Sequence, residues 1–278
     1  MMKTLISLAA ILFWLTPAFA QAQDQKRPIF DTHMHYSHDA WDVYTPAQIL
    51  EKMDKAGVTK ALVSSRPDDG TMKMLEAAPD RIVAGFRPYK VSTSLASWHS
   101  DPDLLAYSEP RLAKRQHRVF GEIHINTPEN LETPEMKRYL EIVAEQGLIV
   151  QPHTDAAMLR VLFAKAPNLR ILWAHAGFTE PASVVGAMLD QYPNLWTETS
   201  FRAGDIMAGG GLSAEWKALF IRHADRFMIG TDTWVVDRWH EYGGLIGEHR
   251  AWLELLPADV AEKIAYKNAE KMFPPTGN

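Results

Sequence analysis

Short apolar runs and longer amphipathic stretches alternate along most of this chain. Eight runs read as β-strands: 28–33, 60–64, 82–86, 119–123, 148–151, 170–174, 195–199 and 227–230. Most are continuously apolar rather than alternating, as expected of parallel strands covered by helices. Helices are expected between them. At 47–56 and 135–146 the punctuation is complete: Thr45-Pro46 and Thr133-Pro134 supply a cap and a first-turn proline, and Gly57 and Gly147 follow the last turn. Further helices are expected at 72–78, 156–166, 181–191, 214–223 and 259–272. No internal repeat or low-complexity linker interrupts the series. An eightfold strand–helix alternation predicts a parallel sheet, either closed into a barrel or open and doubly wound.

Five of the runs end in residues suited to holding a metal. His33 and His35 close the first, Glu122 and His124 the fourth, His153 the fifth, His175 the sixth and Asp232 the eighth. An open sheet would not bring strands one, four, five, six and eight to one point. The ligand order therefore selects a single (β/α)8 barrel with a metal centre at its C-terminal mouth. Positions i and i+2 of a strand face the same way, so the imidazoles of His33 and His35 can meet one ion. Asp31 shares that face and reads either as the carboxylate that fixes a ring tautomer or as a turn cap. Glu122 is open to three roles: bridging two ions, ligating one, or pairing with an arginine. His124 reads as a ligand, as support for one, or as mouth lining. Asp232 reads as a ligand or a proton carrier.

Composition narrows the picture. The chain has 278 residues, 46% of them hydrophobic, enough for one barrel. Its formal net charge of −5 and the lack of a basic run argue against a nucleic-acid partner. With no cysteine, disulfides, thiolate ligands and a cysteine nucleophile are excluded, so a metal site must use imidazole and carboxylate. Residues 1–20 read as a cleaved secretory signal, with Lys3 before an apolar run and Ala18-Phe19-Ala20 as the cleavage site. The run is shorter than the roughly 18–20 residues of a membrane span, so no stable anchor is expected after cleavage. Residues 21–27 read as a flexible leader and 28–278 as the barrel domain. The expected location is secreted, periplasmic in a Gram-negative source.

The order His-x-His, Glu, His, His, Asp resembles the amidohydrolase superfamily. The ending Asn268-Ala269-Glu270-Lys271-Met272-Phe273 is similar to the close of its amidohydrolase-related branch. The resemblance implies a metal-dependent hydrolase of TIM-barrel type, cleaving an amide, lactone or ester with a metal-activated water. It implies His33, His35, Glu122, His153, His175 and Asp232 as metal ligands, with Asp232 and His175 also catalytic. Zinc is the expected metal, as one or two ions, with manganese and iron fitting similar ligands. A mononuclear decarboxylase or hydratase acting on a carboxylic acid is the alternative, and a barrel that binds without chemistry is a third. The substrate is expected to be a small molecule, and by the family's habit the chain forms a homodimer.

Mouth residues add detail. Arg87 and Arg202 each read as a clamp for a substrate carboxylate or as an ion pair with a neighbouring loop. Trp234 heads a loop with Asp237, Arg238, Trp239, His240 and Tyr242 that reads as a pocket wall or as packing. Gly209-Gly210-Gly211 suggests a mobile loop without the lysine of a phosphate cradle. His99, His117, His223 and His249 fall away from strand ends and are expected at the surface.

Overall fold

The computed structural model describes residues 26–275. The expected signal at 1–20 and most of the 21–27 leader lie outside them. Eight strands follow one another around the sheet: β1 (Ile29–Met34), β2 (Val58–Val63), β3 (Ile82–Phe86), β4 (Val119–His124), β5 (Ile149–His153), β6 (Ile171–Trp173), β7 (Leu195–Glu198) and β8 (Phe227–Met228). Every neighbouring pair is parallel. An isolated bridge between Asp31 and Ile229 joins the last strand's end to the first. There Thr32 N donates to Ile229 O at 2.7 Å and Asp232 N to His33 O at 2.6 Å. The sheet is therefore a (β/α)8 barrel rather than an open, doubly wound one.

Among the described residues, eight helices of at least nine residues pack outside: α1 (Pro46–Ala56), α2 (Asp69–Ala77), α3 (Pro102–Leu112), α4 (Pro134–Gln146), α5 (Ala156–Lys165), α6 (Ala182–Gln191), α7 (Ala214–Arg222) and α8 (Tyr242–Leu253). α1 begins with a capping box between Thr45 and Gln48 and stops at Gly57, whose φ of 72° suits glycine. α3 and α8 were not expected from the sequence. Pro110 lies inside α3, and Gly243, Gly244 and Gly247 lie inside α8, residues that break a helical pattern in sequence. Their buried residues, Leu104 and Leu112 in one and Ile246, Trp252 and Leu253 in the other, hold them by packing. The expected 259–272 helix is present in three pieces, with a π-helical turn at Lys263–Lys267.

The bore of the barrel has two ends. At the N-terminal end, Phe30, Leu62, Val119, Ile149, Leu172 and Met228 form an apolar plug, one residue from each of six strands. Met272 and Phe273 close it from below, Phe273 sitting 5.9 Å from Phe30. Asn268 anchors that closure by donating to Ala224 O at 2.7 Å and Phe227 O at 2.8 Å. Farther along the bore the buried side chains turn polar, with Gln151 donating to Thr32 O at 3.2 Å.

Candidate metal centre

Strict alternation along β1 would send His33 and His35 outward if Phe30 points in. The β1–β2 register slips between Asp31 and Met34, so the parity changes: Phe30 joins the inner plug, Met34 the outer core, and both imidazoles face the bore. β4 slips in the same way between Gly121 and Ile123. Gly121 sits at φ 146°, and a Cβ there would collide with the Gln151 carbonyl, so only glycine carries the chain through. Past the slip, Glu122 and His124 face the centre.

The expected ligands converge. His33 Nε2 and His35 Nε2 are 3.1 Å apart. Asp232 Oδ1 lies 3.0 Å from His35 Nε2 and 3.6 Å from His33 Nε2, and Glu122 Oε2 lies 3.4 and 3.5 Å from the same two atoms. Glu122's other oxygen faces the other way: Oε1 is 2.7 Å from His153 Nδ1 and 3.0 Å from His175 Nε2. Those two nitrogens are 3.2 Å apart. Such spacings are near the edge lengths of a coordination shell with bonds of about 2.0–2.2 Å. Asp232 Oδ1 is also buried with no hydrogen-bond partner, its near neighbours being His35 Nε2 and His33 Nε2. A buried acceptor facing other acceptors calls for a cation. The residues therefore fit one or two divalent ions.

Protonation follows the same geometry. Burial pulls the His33 imidazole down, but Asp232, Glu122 and Glu198 outweigh it and hold the ring well above the ordinary imidazole range. Burial pushes Glu122 and Asp232 up, and the histidines facing them overcome this, leaving both well below the carboxylate range. A divalent ion here competes with protons for the same electron pairs.

Glu198, at the end of β7, was missed in the sequence. Its Oε1 is 2.9 Å from His33 Nδ1 and accepts from His175 N at 2.6 Å, while Oε2 accepts from Ser200 N at 2.6 Å. Ser200 Oγ lies 2.7 Å from His175 Nδ1, and the Ser64 carbonyl takes His35 Nδ1. Each ring is thus turned with Nε2 inward. Burial raises Glu198, but His33 and His175 bring it down to about 2. Gly230 makes room for it: a Cβ there would strike the Glu198 carboxylate and His33. No sequence signal marks Glu198 beyond its place at a strand end.

Asp31 does not touch an imidazole, which corrects the tautomer-fixing expectation. Its Oδ1 accepts from His33 N and Thr231 N, both at 3.1 Å, and its Oδ2 from Thr231 Oγ1 at 2.6 Å and Tyr242 OH at 3.1 Å. It rivets β1 to the segment after β8. Burial lifts its carboxyl to about 6 against those hydrogen bonds.

A cavity of about 630 Å3 opens above the donors. Arg87, His124, Phe178, Phe201 and Trp234 line it. A larger groove of about 1030 Å3 at the N-terminal end, beside Phe273 and Arg118, holds none of the metal donors. Arg87 is spoken for in part: Nε donates to Glu122 O at 3.1 Å and Nη2 to Glu122 Oε2 at 3.2 Å. Arg202 is not in the cavity, which corrects its reading as a substrate clamp. It is buried, donating to the carbonyls of His175, Ala176 and Glu180 and pairing with Asp205. The loop after β8 divides: Trp234 is 54% exposed at the cavity, whereas Trp239 and Tyr242 are buried packing. His117 and His249 are also buried rather than at the surface, His117 against Asp68 at 2.9 Å and His249 against Gly230 O at 2.8 Å. Glycines 209–211 lie outside the cavity.

The mouth is strained. His175, Ala176, Phe178, Phe201 and Asp232 all have φ between 45° and 62°. Each such non-glycine residue costs about 1–3 kcal/mol and persists only where its surroundings impose it, as at functional sites.

The profile of the amidohydrolase family matches residues 30–274. No curated protein sequence matches the chain significantly. Among solved structures, a TatD homologue from Escherichia coli aligns with a TM-score of 0.64 at 15% identity, over 89% of this chain and 98% of that one. A putative 2-pyrone-4,6-dicarboxylic acid hydrolase from Pseudomonas putida gives 0.60 at 16% identity, over 89% and 98%. A 5-carboxyvanillate decarboxylase from Novosphingobium aromaticivorans, complexed with manganese and a substituted nitrobenzoic acid, gives 0.56 at 16%, over 91% and 97%. These likenesses carry the fold, and the profile, spanning nearly the whole chain, carries the family: the protein belongs to the amidohydrolases.

Proposed function

We propose that the chain is a metal-dependent hydrolase of an amide, lactone or ester, built for two divalent ions. One observation carries this reading. Glu122 turns Oε2 toward His33, His35 and Asp232 and Oε1 toward His153 and His175, so one carboxylate is shared between two sets of donors. Divalent ions held there supply Lewis acidity and lower the pKa of water. The chain's own residues do the rest. Asp232, over the cavity floor, takes a proton from the attacking water and returns it to the leaving group. Arg87 holds Glu122 in place from the cavity wall. Phe178, Phe201 and Trp234 bound the space where a substrate body sits.

Zinc is the metal we propose, from the nitrogen-plus-carboxylate donors and an open mouth. Manganese, found with the decarboxylase neighbour, is the competing choice. Export after cleavage at Ala20, and a homodimer, belong to the same proposal. Among the described residues no helix is long and apolar enough to cross a membrane.

A second reading is a lyase that decarboxylates or hydrates a carboxylic acid on one ion. It is favoured by Arg87 at the cavity wall, where a guanidinium can meet a carboxylate. Elemental analysis of the purified protein, with a panel of lactones, esters, amides and aromatic carboxylic acids, separates the two. About two ions per chain and turnover of the first three classes uphold the hydrolase. One ion and release of CO2 from the acids replace it with the lyase.

A further inference from the structure

We propose that His124 is a fourth protein donor to the outer ion position, beside Glu122, His153 and His175, and that this position is the exchangeable one. The inference rests on the two-ion reading above. A ligand atom from each of Glu122, His124 and His153 lies within 4.8 Å of the others. This set shares only Glu122 with the set made by His33, His35, Glu122 and Asp232. The slip in β4 is what brings His124 there, on the same side as Glu122.

Its placement is enforced from behind. Tyr89 OH accepts from His124 N at 3.0 Å and lies 3.4 Å from His124 Nδ1. Trp98 Nε1 donates to His124 O at 2.8 Å. Tyr89 and Trp98 are fully buried, so both backbone groups of His124 are clamped to the core. The ring then stands over His153, centroids 4.5 Å apart. A residue that merely lined the wall would not need both its N–H and its carbonyl fixed by buried aromatic side chains.

The two donor sets differ in exposure. All four inner donors are buried, whereas His124 and His153 are half-buried at the cavity wall. An ion in the outer set keeps access to solvent and leaves first when metal is scarce. Occupancy of that position then depends on the metal supply around the protein, and His124 sets the threshold.

The test is a metal titration of the metal-stripped wild-type protein, His124→Ala and His124→Gln, using Co2+ against a competing chelator and following the visible absorption of each bound ion. In wild type two ions bind, one tighter than the other. Both variants are expected to weaken the second ion by roughly 10–100-fold while the first stays as in wild type. An unchanged first ion also shows that the variants have folded. Two ions retained at wild-type affinity in both variants overturn the role of His124 and leave the two-ion hydrolase standing. Equal weakening of both ions overturns it too, by making His124 a structural support. A wild-type chain that takes only one ion brings down the two-ion reading, and this inference with it.

Discussion

The two ends of the barrel bore are made from the same strands and do opposite work. Ile149 and His153 lie on one strand, four residues apart; one belongs to the apolar plug and the other faces Glu122. The plug end is filled and closed by Phe273. The mouth end is polar, holds buried charge, and keeps five non-glycine residues in the left-handed region. The lesson is a division of labour along a few ångströms of strand. Packing at the N-terminal end supplies the stability that strain and desolvated charge at the mouth consume.

Substitutions at the two ends should separate function from stability. The largest effect on function is expected from Asp232→Asn: turnover falls by roughly 10²–10⁴-fold. Its melting temperature should hold, since asparagine tolerates a positive φ. Near-normal turnover with full metal content would remove Asp232 from the chemistry. At the other end, Phe273→Ala should cost about 3–5 kcal/mol of unfolding free energy in urea without changing metal content. Loss of bound metal in the folded variant would show that the two ends are not separable.

His249, on α8 against the Gly230 carbonyl, predicts a pH effect. Burial depresses its imidazole to about 4, the Gly230 carbonyl only partly opposing. A depressed folded value means stability that is present above the ordinary 6.5 and is lost as pH falls toward 4. The loss should reach roughly 2–4 kcal/mol. In His249→Gln that slope should flatten in urea unfolding measured at several pH values; an unaltered slope assigns the acid sensitivity elsewhere.

Glu198→Gln is a smaller change on the mouth side. By loosening the His33 and His175 rings it should weaken metal binding by roughly 10–100-fold, read by chelator competition, with stability nearly kept. Smallest in stability is Trp234→Ala, within about 0.5 kcal/mol, because the ring is exposed. Its effect should appear in KM, and an unchanged KM would take Trp234 out of the substrate wall.

Much of this was legible in the sequence. The strand positions were, because parallel strands are continuously apolar, and so were His33, His35, His153, His175 and Asp232, because each ends such a run. What was hidden depends on contacts between distant segments. The register slips that turn His33, Glu122 and His124 inward are not written in any local pattern. Glu198 looks like any glutamate at a strand end until β6 and β1 are laid beside it. Arg202 had the right place in sequence, but its left-over hydrogen bonds go to the strained turn at His175–Ala176. The helix α8 went unmarked because its glycines break the pattern and propensity carries no record of the packing behind Trp252.

The closure of the barrel has a consequence for the order of events in the protein's life. Thr231 and His33 are held together although they stand 198 positions apart. The inner donors His33 and His35 are made early and Asp232 late, so most of the polypeptide must exist before its two ends can meet. Joining them is the longest-range step in the fold, and such steps come slowly. Until then the inner set of His33, His35, Glu122 and Asp232 is incomplete. An ion held here would thus be a seal set on a finished barrel rather than a seed around which it forms, and a chain cut short before Asp232 would keep His33, His35 and Glu122 but lack the carboxylate that completes their set.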